Sequence, residues 1–274
     1  MMQINEPDNQ EVELNMENQE ISGINLRVLN RDVIKYIAMI TMFLNHLASV
    51  FLIPGTVLHD VFEYVGYFTA PVMCYFLVEG YDYTRSKRKY GFRLFLCAIL
   101  SQIPFNLALP FGNLNMLYTL FCCFLILVVI DRVANPISRN VLCLLLVLVT
   151  VIGDWPLLAP LYTIFFYCSK GNRKKTAVGF LAAYVLFESF MLLDYMLGVS
   201  GAWTVRGVVH ELLSGTAILA AGAAVLFFYN GERAKKGRNF SKWFFYVFYP
   251  AHLLILFFVK MLFVNVLNMY MIQP

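Results

Sequence analysis

The chain has 274 residues, 60% of them hydrophobic and 14% charged, with a formal net charge of +4. Soluble domains carry about a quarter charged residues, so this balance, with 25 Phe, excludes a water-soluble globule. Apolar runs near 20 residues match a bilayer core of ~30 Å, and the composition predicts an all-α, polytopic integral membrane bundle.

The first thirty residues are of another kind. Glu6, Asp8, Glu11, Glu13, Glu17 and Glu20 lie there without a single aromatic residue. Such a segment has too little apolar surface to bury and reads as an acidic disordered tail over 1–30. It lacks the basic, apolar and small-residue order of a signal peptide. Residues 31–274 then make a single transmembrane helical domain. Spans are predicted near 33–53, 58–83, 92–109, 114–131, 140–153, 157–169, 174–194, 210–229 and 243–267. The sixth is short, so about nine helices are expected, with eight or ten allowed. Residues 195–209 are expected to dip into the membrane or to cap it from outside.

Charge gives the orientation. All but two of the 21 Lys and Arg fall in alternate connections: Arg27 to Lys35, Arg85 to Arg93, Arg132 to Arg139, Lys170 to Lys175, and Arg233 to Lys242. The two others are Arg206 and Lys260. Nine spans with the N-terminus cytosolic satisfy the positive-inside rule at every loop. That topology accounts for most of the basic residues with no nucleic acid partner. Cys74, Cys97, Cys122, Cys123, Cys143 and Cys168 all sit in or at the ends of spans. They imply neither a disulfide framework nor a metal site of Cys/His spacing. There is no P-loop, no dinucleotide fingerprint and no convincing internal repeat.

Ionisable groups at membrane depth are expensive and point to function. In the first span Lys35 and His46 are eleven residues apart, which puts them ~20° apart around the helix and ~16 Å apart along it. One face therefore carries a cation near the inner surface and an imidazole near the midplane. The competing structural reading is a snorkelling lysine and a histidine bonded to a neighbouring helix. The second span carries Glu79 close to Arg85 and Arg93, where a plain ion pair is the simpler account. In the third span Gln102 and Asn106 are i, i+4 neighbours flanking Pro104, and helix–helix glue competes with a site role. Candidates on the outer side are Asn115, Thr119, Asp154, Glu188 and Asp194. In the last span Tyr249 and His252 share a face beside Pro250. These groups suit a polar cavity in a helical bundle, rimmed on the cytosolic side by Lys35, Glu79, Arg85 and Arg93. Such cations fit phosphates, and an imidazole beyond them suits a general base.

The stretches "IAMITMFLNHLA", "APVMCYFLVEGYDYTRSKRKYGFRLFLCAILSQIPFNLA" and "WFFYVFYPAHLLIL", with Asn115 to Thr119, carry a family likeness. They resemble the conjugal-transfer TraX family of integral membrane proteins. The resemblance implies an activity like pilin N-terminal acetylation in a bacterial cytoplasmic membrane, and similarity to transmembrane acyltransferases that use cytosolic acyl-CoA. In those enzymes a basic residue precedes a catalytic His by eleven positions, the arrangement of Lys35 and His46. The implied co-substrate is acetyl-CoA or another acyl-CoA, with no metal. The implied acceptor is an amine or hydroxyl on a pilin-like peptide, a glycan or a lipid, reached among membrane lipids. His46 is then the base, with His252, Gln102 and Asn106 completing the catalytic set. Lys35, Glu79, Arg85 and Arg93 fall to the acyl-CoA. Two positions depart from the family pattern: Asn45 stands where Asp is common before the His, and Gly66-Tyr67 stands where Gly-Arg is common. The alternative is a transporter or flippase for a small anionic or lipidic substrate, which would commonly show internal repeats. A third class is a non-catalytic membrane assembly or immunity factor.

Overall fold

The helices begin where polar side chains can receive their first N–H groups. In a computed structural model that describes residues 26–109, 112–197 and 204–271, helix α1 (Arg31–Phe51) starts on Asn30. The Asn30 Oδ1 accepts from the N–H of Asp32 and of Val33, an N-cap that satisfies donors lipid cannot. Helix α2 (Val57–Gly66) starts on Thr56, and α3 (Thr69–Tyr83) follows after a break. Ser86, Asn115 and Asn135 cap α4 (Lys87–Ala108), α5 (Met116–Arg132) and α6 (Pro136–Val149). Helix α7 (Leu158–Cys168) has no side-chain cap, while Asn172 caps α8 (Arg173–Met196) and Thr204 caps α9 (Val205–Ser214). Helix α10 (Thr216–Ala223) runs into a π turn at Ala224–Phe228, and α11 (Arg238–Met271) closes the chain.

Six of these stretches are long and apolar enough to cross a membrane, and Pro136–Ile152 and Leu158–Cys168 are shorter apolar helices. With α5 they fill every predicted span, so this is an all-α multi-pass membrane bundle with no strand among the described residues. Its outer surface is apolar: Ile99, Leu100 and Ile103 on α4 and Leu144 and Leu145 on α6 are exposed, as lipid in place of water allows.

The connections gather at two ends, as the charge pattern predicts. At the basic end Lys170 Nζ lies 2.8 Å from Asp82 Oδ1, and the Tyr81 hydroxyl donates to Asp131. At the opposite end Leu114 N–H donates to the Ile152 carbonyl, and Asp154 N–H donates to that of Leu114. The predicted second span divides into α2 and α3. At the break a Cβ on Gly66 would overlap the Asn45 Cβ, so the end of α2 lies directly against α1. The eighth span likewise divides into α9, α10 and the π turn. Residues 1–25 of the acidic tail lie outside the described residues. Leu29 to Arg31 pair with the Phe228–Glu232 stretch through backbone hydrogen bonds of 2.8 to 2.9 Å. The 195–209 segment lies in part outside the described residues, as does the Arg206 side chain.

Candidate active site

Two cavities enter the bundle from its two ends and meet at Met42, Thr69, Met116 and Tyr249. The one at the basic end is about 380 Å³. Arg31, Lys35, Arg85, Arg93, Arg233 and Lys242 line it against one acid, Asp32, whose carboxylate already accepts from the Ala234 N–H. Lys35 Nζ sits 3.9 Å above the Phe245 ring, a cation–π contact that holds the side chain at the wall. Arg93 Nε is buried with no hydrogen-bond partner among the described residues. Beyond these cations the wall turns apolar through Met39, Met73, Leu94, Leu120 and Phe248. The result is a charged mouth leading to an apolar shaft.

Beside this junction, next to Tyr249, the first and last helices join through two buried histidines. His46 Nδ1 and His252 Nε2 are 2.8 Å apart, with the rings nearly parallel. The tautomers follow from one carbonyl. His252 Nδ1 lies 2.8 Å from the Phe248 carbonyl, which only accepts, so Nδ1 carries the proton. In the neutral pair His252 Nε2 is then an acceptor, and His46 Nδ1–H must donate to it. That leaves the lone pair of His46 on Nε2, and His46 lines the second cavity. A histidine whose far nitrogen is held this way is oriented as a base.

Tyr249 lies one turn before His252 and supplies the complementary group. Its hydroxyl oxygen accepts from Met116 N–H at 3.2 Å, in the first turn of α5. That contact does not use the hydroxyl's own proton, and Tyr249 lines both cavities where they meet.

The cavity at the opposite end is smaller, about 200 Å³, and Asn45, His46, Glu63, Tyr67, Asp154 and Trp155 help to line it. The turn carrying the last two is fixed from several sides. Thr119 donates to the Asp154 carbonyl at 2.7 Å, and Trp155 packs on Tyr67 and Phe187. Trp155 and Leu157 both have positive φ, 55° and 61°. Bulky residues in that region carry a cost that concentrates at functional sites. Burial pushes the Asp154 carboxyl up to about 6, against a backbone hydrogen bond at Trp155 that lowers it.

The residues singled out from sequence divide between several places. Lys35, Arg85 and Arg93 line the basic cavity together, and His46 meets His252. Glu79 faces a separate cavity of about 470 Å³ at the basic end, where it accepts from the Tyr229 hydroxyl at 2.6 Å and lies 3.8 Å from Arg31 Nε. Gln102 and Asn106 do share a face, with Gln102 Nε2 donating to Asn106 Oδ1 at 2.7 Å. They are not brought to the histidines. Gln102 instead accepts from the N–H and side-chain amide of Asn115 and donates to the Asn113 carbonyl, holding the turn before α5. Glu188 accepts from Gly215 N–H between α9 and α10. Asn45 lies outside the histidine relay, donating its amide to the Glu63 carbonyl. Tyr67 donates to the Glu63 carboxylate. Sequence reasoning did not find Glu63 or Trp155, and it gave Tyr249 no chemical role, although the Tyr249/His252 spacing was a signal.

The comparisons agree with this frame. A family model described as TraX protein matches residues 30–260. A probable fimbrial assembly protein FimC, serogroup H1, of Dichelobacter nodosus is 28% identical over 242 residues, covering 83% of this chain and 94% of that protein. No solved structure matches the chain.

Proposed function

Because the chain belongs to the TraX protein family, we propose that it is an integral membrane acyltransferase serving pilus or fimbrial assembly. It moves an acyl group from cytosolic acyl-CoA, acetyl-CoA in the simplest case, to an amine or hydroxyl acceptor. The observation that carries this reading is that a cationic cavity and a smaller opposite cavity meet at Tyr249, beside His46, which lines the smaller one, and its partner His252.

In this reading the basic end faces the cytosol of a bacterial cytoplasmic membrane. Phosphates of CoA lie among Lys35, Arg85 and Arg93, joined by Arg31, Arg233 and Lys242, and the thioester reaches the junction down the apolar shaft. The acceptor comes from the other side. His46 Nε2 takes its proton as the acceptor nitrogen or oxygen attacks the thioester carbon. Tyr249 donates a hydrogen bond from its hydroxyl to the oxyanion that forms and keeps the proton, a position where one donor is worth much of the rate. Collapse breaks the C–S bond, and the leaving thiolate takes the proton back from the His46 imidazolium. The products are the acylated acceptor and CoA thiol. His252 holds the His46 tautomer and shares its charge while it is protonated. The departure at Asn45 leaves this relay intact, because the residue serves the α1–α2 joint.

The test is transfer of radiolabelled acetyl from acetyl-CoA to a component of host membrane extract by the purified protein. Label in a pilin-like peptide, a glycan or a lipid supports the reading and names the acceptor class. Binding of CoA with no labelled product under saturating donor and extract overturns it in favour of transport.

A further inference from the structure

The outward-lying end of α2 carries a cluster that the acyl-transfer chemistry does not use. His59, Asp60 and Glu63 each offer a donor atom, and all three atoms lie within 4.8 Å of one another. His59 Nδ1 is 3.2 Å from Asp60 Oδ1 and 3.6 Å from Glu63 Oε2. These separations are long for charge-assisted hydrogen bonds, which run about 2.7–2.9 Å. They bracket the ~3.3 Å edge of a tetrahedron whose metal–ligand bonds are ~2.0–2.2 Å. One N–H facing two carboxylates at such distances makes a poor donor, whereas a lone pair converging with two carboxylate oxygens makes a ligand set.

A residue far along the chain completes the arrangement. His210 of α9 places Nε2 2.9 Å from the other oxygen of Asp60. The Tyr64 hydroxyl lies 2.5 Å from Nδ1 and 2.6 Å from Nε2 of the same ring, so Tyr64 and Asp60 together fix where His210 sits. Ligating carboxylates are typically held in this way by an outer partner. Among the described residues no Lys or Arg pairs with Asp60 or Glu63, whose partners there are His59, His210 and the Tyr67 hydroxyl.

We infer that His59, Asp60 and Glu63 bind one divalent transition-metal ion of the zinc class, with His210 positioning Asp60 and a fourth coordination position open. The Cys/His spacing that sequence reasoning looks for is absent because two of the groups are carboxylates and the second histidine is 150 residues downstream. Glu63 ties the ion to the smaller cavity, since its side chain lines that cavity and its backbone holds Asn45. The ion braces α2 as a cavity wall. This holds whether or not the protein transfers acyl groups.

The experiment uses the tag-free full chain in detergent, stripped with chelator and titrated with Co²⁺ and then Zn²⁺. One Co²⁺ per chain is expected, with the intense visible absorption of a low-coordinate site, bleached by one equivalent of Zn²⁺. Ligand that binds only the folded state also raises the melting midpoint, here by several degrees. Glu63→Gln and His59→Asn keep size and fold while weakening metal binding roughly 100-fold or more, beyond the ~10–100-fold typical of losing an outer partner. His210→Ala should weaken it by that smaller factor and keep the cobalt spectrum, because the ligands themselves remain. Absence of stoichiometric cobalt in the parent overturns the inference, as does a Glu63→Gln protein that binds as tightly as the parent.

Discussion

The two cavities share four wall residues yet are built on opposite terms. The larger has six cationic side chains around its mouth and an apolar depth. The smaller has no Lys or Arg among its described lining residues and is shaped by Glu63, Asp154 and a Trp155 held at positive φ. Charge dominates where a ligand is polyanionic and must leave again, because Coulomb attraction acts at a distance and is softened by salt. Close fit and hydrogen bonding dominate where one atom must be presented to one base. The histidine pair lies beside Tyr249, which both cavities share, so damage on either side should leave a different signature.

The largest effect belongs to the junction itself. His46→Ala should lower acyl transfer by roughly 10²–10⁴-fold, the usual loss on removing a general base. Expression, melting and CoA binding should stay near the parent, and His46→Gln should behave alike while keeping an amide near the imidazole position. Near-parental turnover by His46→Gln would remove the catalytic assignment. Next comes Tyr249→Phe, which deletes the proposed oxyanion donor and should cost about 10²–10³-fold in kcat with KM little changed. A rise in KM alone would make Tyr249 a wall and nothing more.

On the cationic side the change should be in binding and not in chemistry. The triple variant Lys35→Ala, Arg85→Ala, Arg93→Ala should weaken CoA binding by roughly 10–100-fold at low salt, with a flatter dependence on added salt than the parent. Equal affinity in a folded triple variant would separate this cavity from CoA. The smallest effect is expected at Asp154 and concerns stability. Its folded carboxyl is raised by burial to about 6, so the folded state favours the protonated form. The stability that this preference gives is full below the unfolded carboxyl range and is lost as pH rises through about 6. Asp154→Asn should therefore melt higher than the parent at pH 8, and the difference should shrink towards pH 4. The gain should be about 1–2 kcal/mol after allowing for water in the cavity. A difference independent of pH would mean that Asp154 is ionised throughout.

Much of the bundle was legible because lipid imposes a plain rule: apolar outside, basic loops on alternate connections. The histidine pair was legible for the same reason, since an imidazole at mid-depth on the first and on the last span needs a partner. What the sequence could not reveal were choices among neighbours. Gln102 and Asn106 announced a shared face, but only packing shows that Gln102 turns to Asn115. Glu79 looked like a rim residue beside Arg85 and Arg93, whereas Arg31 and Tyr229 draw it to another cavity. At the break between α2 and α3, Gly66 lies against Asn45 where a Cβ would overlap, a contact between residues with no periodic signal. His210 meets Asp60 from a helix far along the chain, and no local motif encodes that.

The histidine relay also sets a clock on biogenesis. His46 and His252 are separated by 206 positions, and synthesis at ~5–20 residues per second puts about 10–40 s between their appearances. For that interval the first helix waits in or beside the insertion machinery with a ring N–H whose partner has not yet been translated. A ribosome that stops before the last helix leaves a membrane-inserted chain with its first helix unpaired, an open seam that quality-control proteases can recognise. The contact that joins the first helix to the last is thus also the last stitch of assembly.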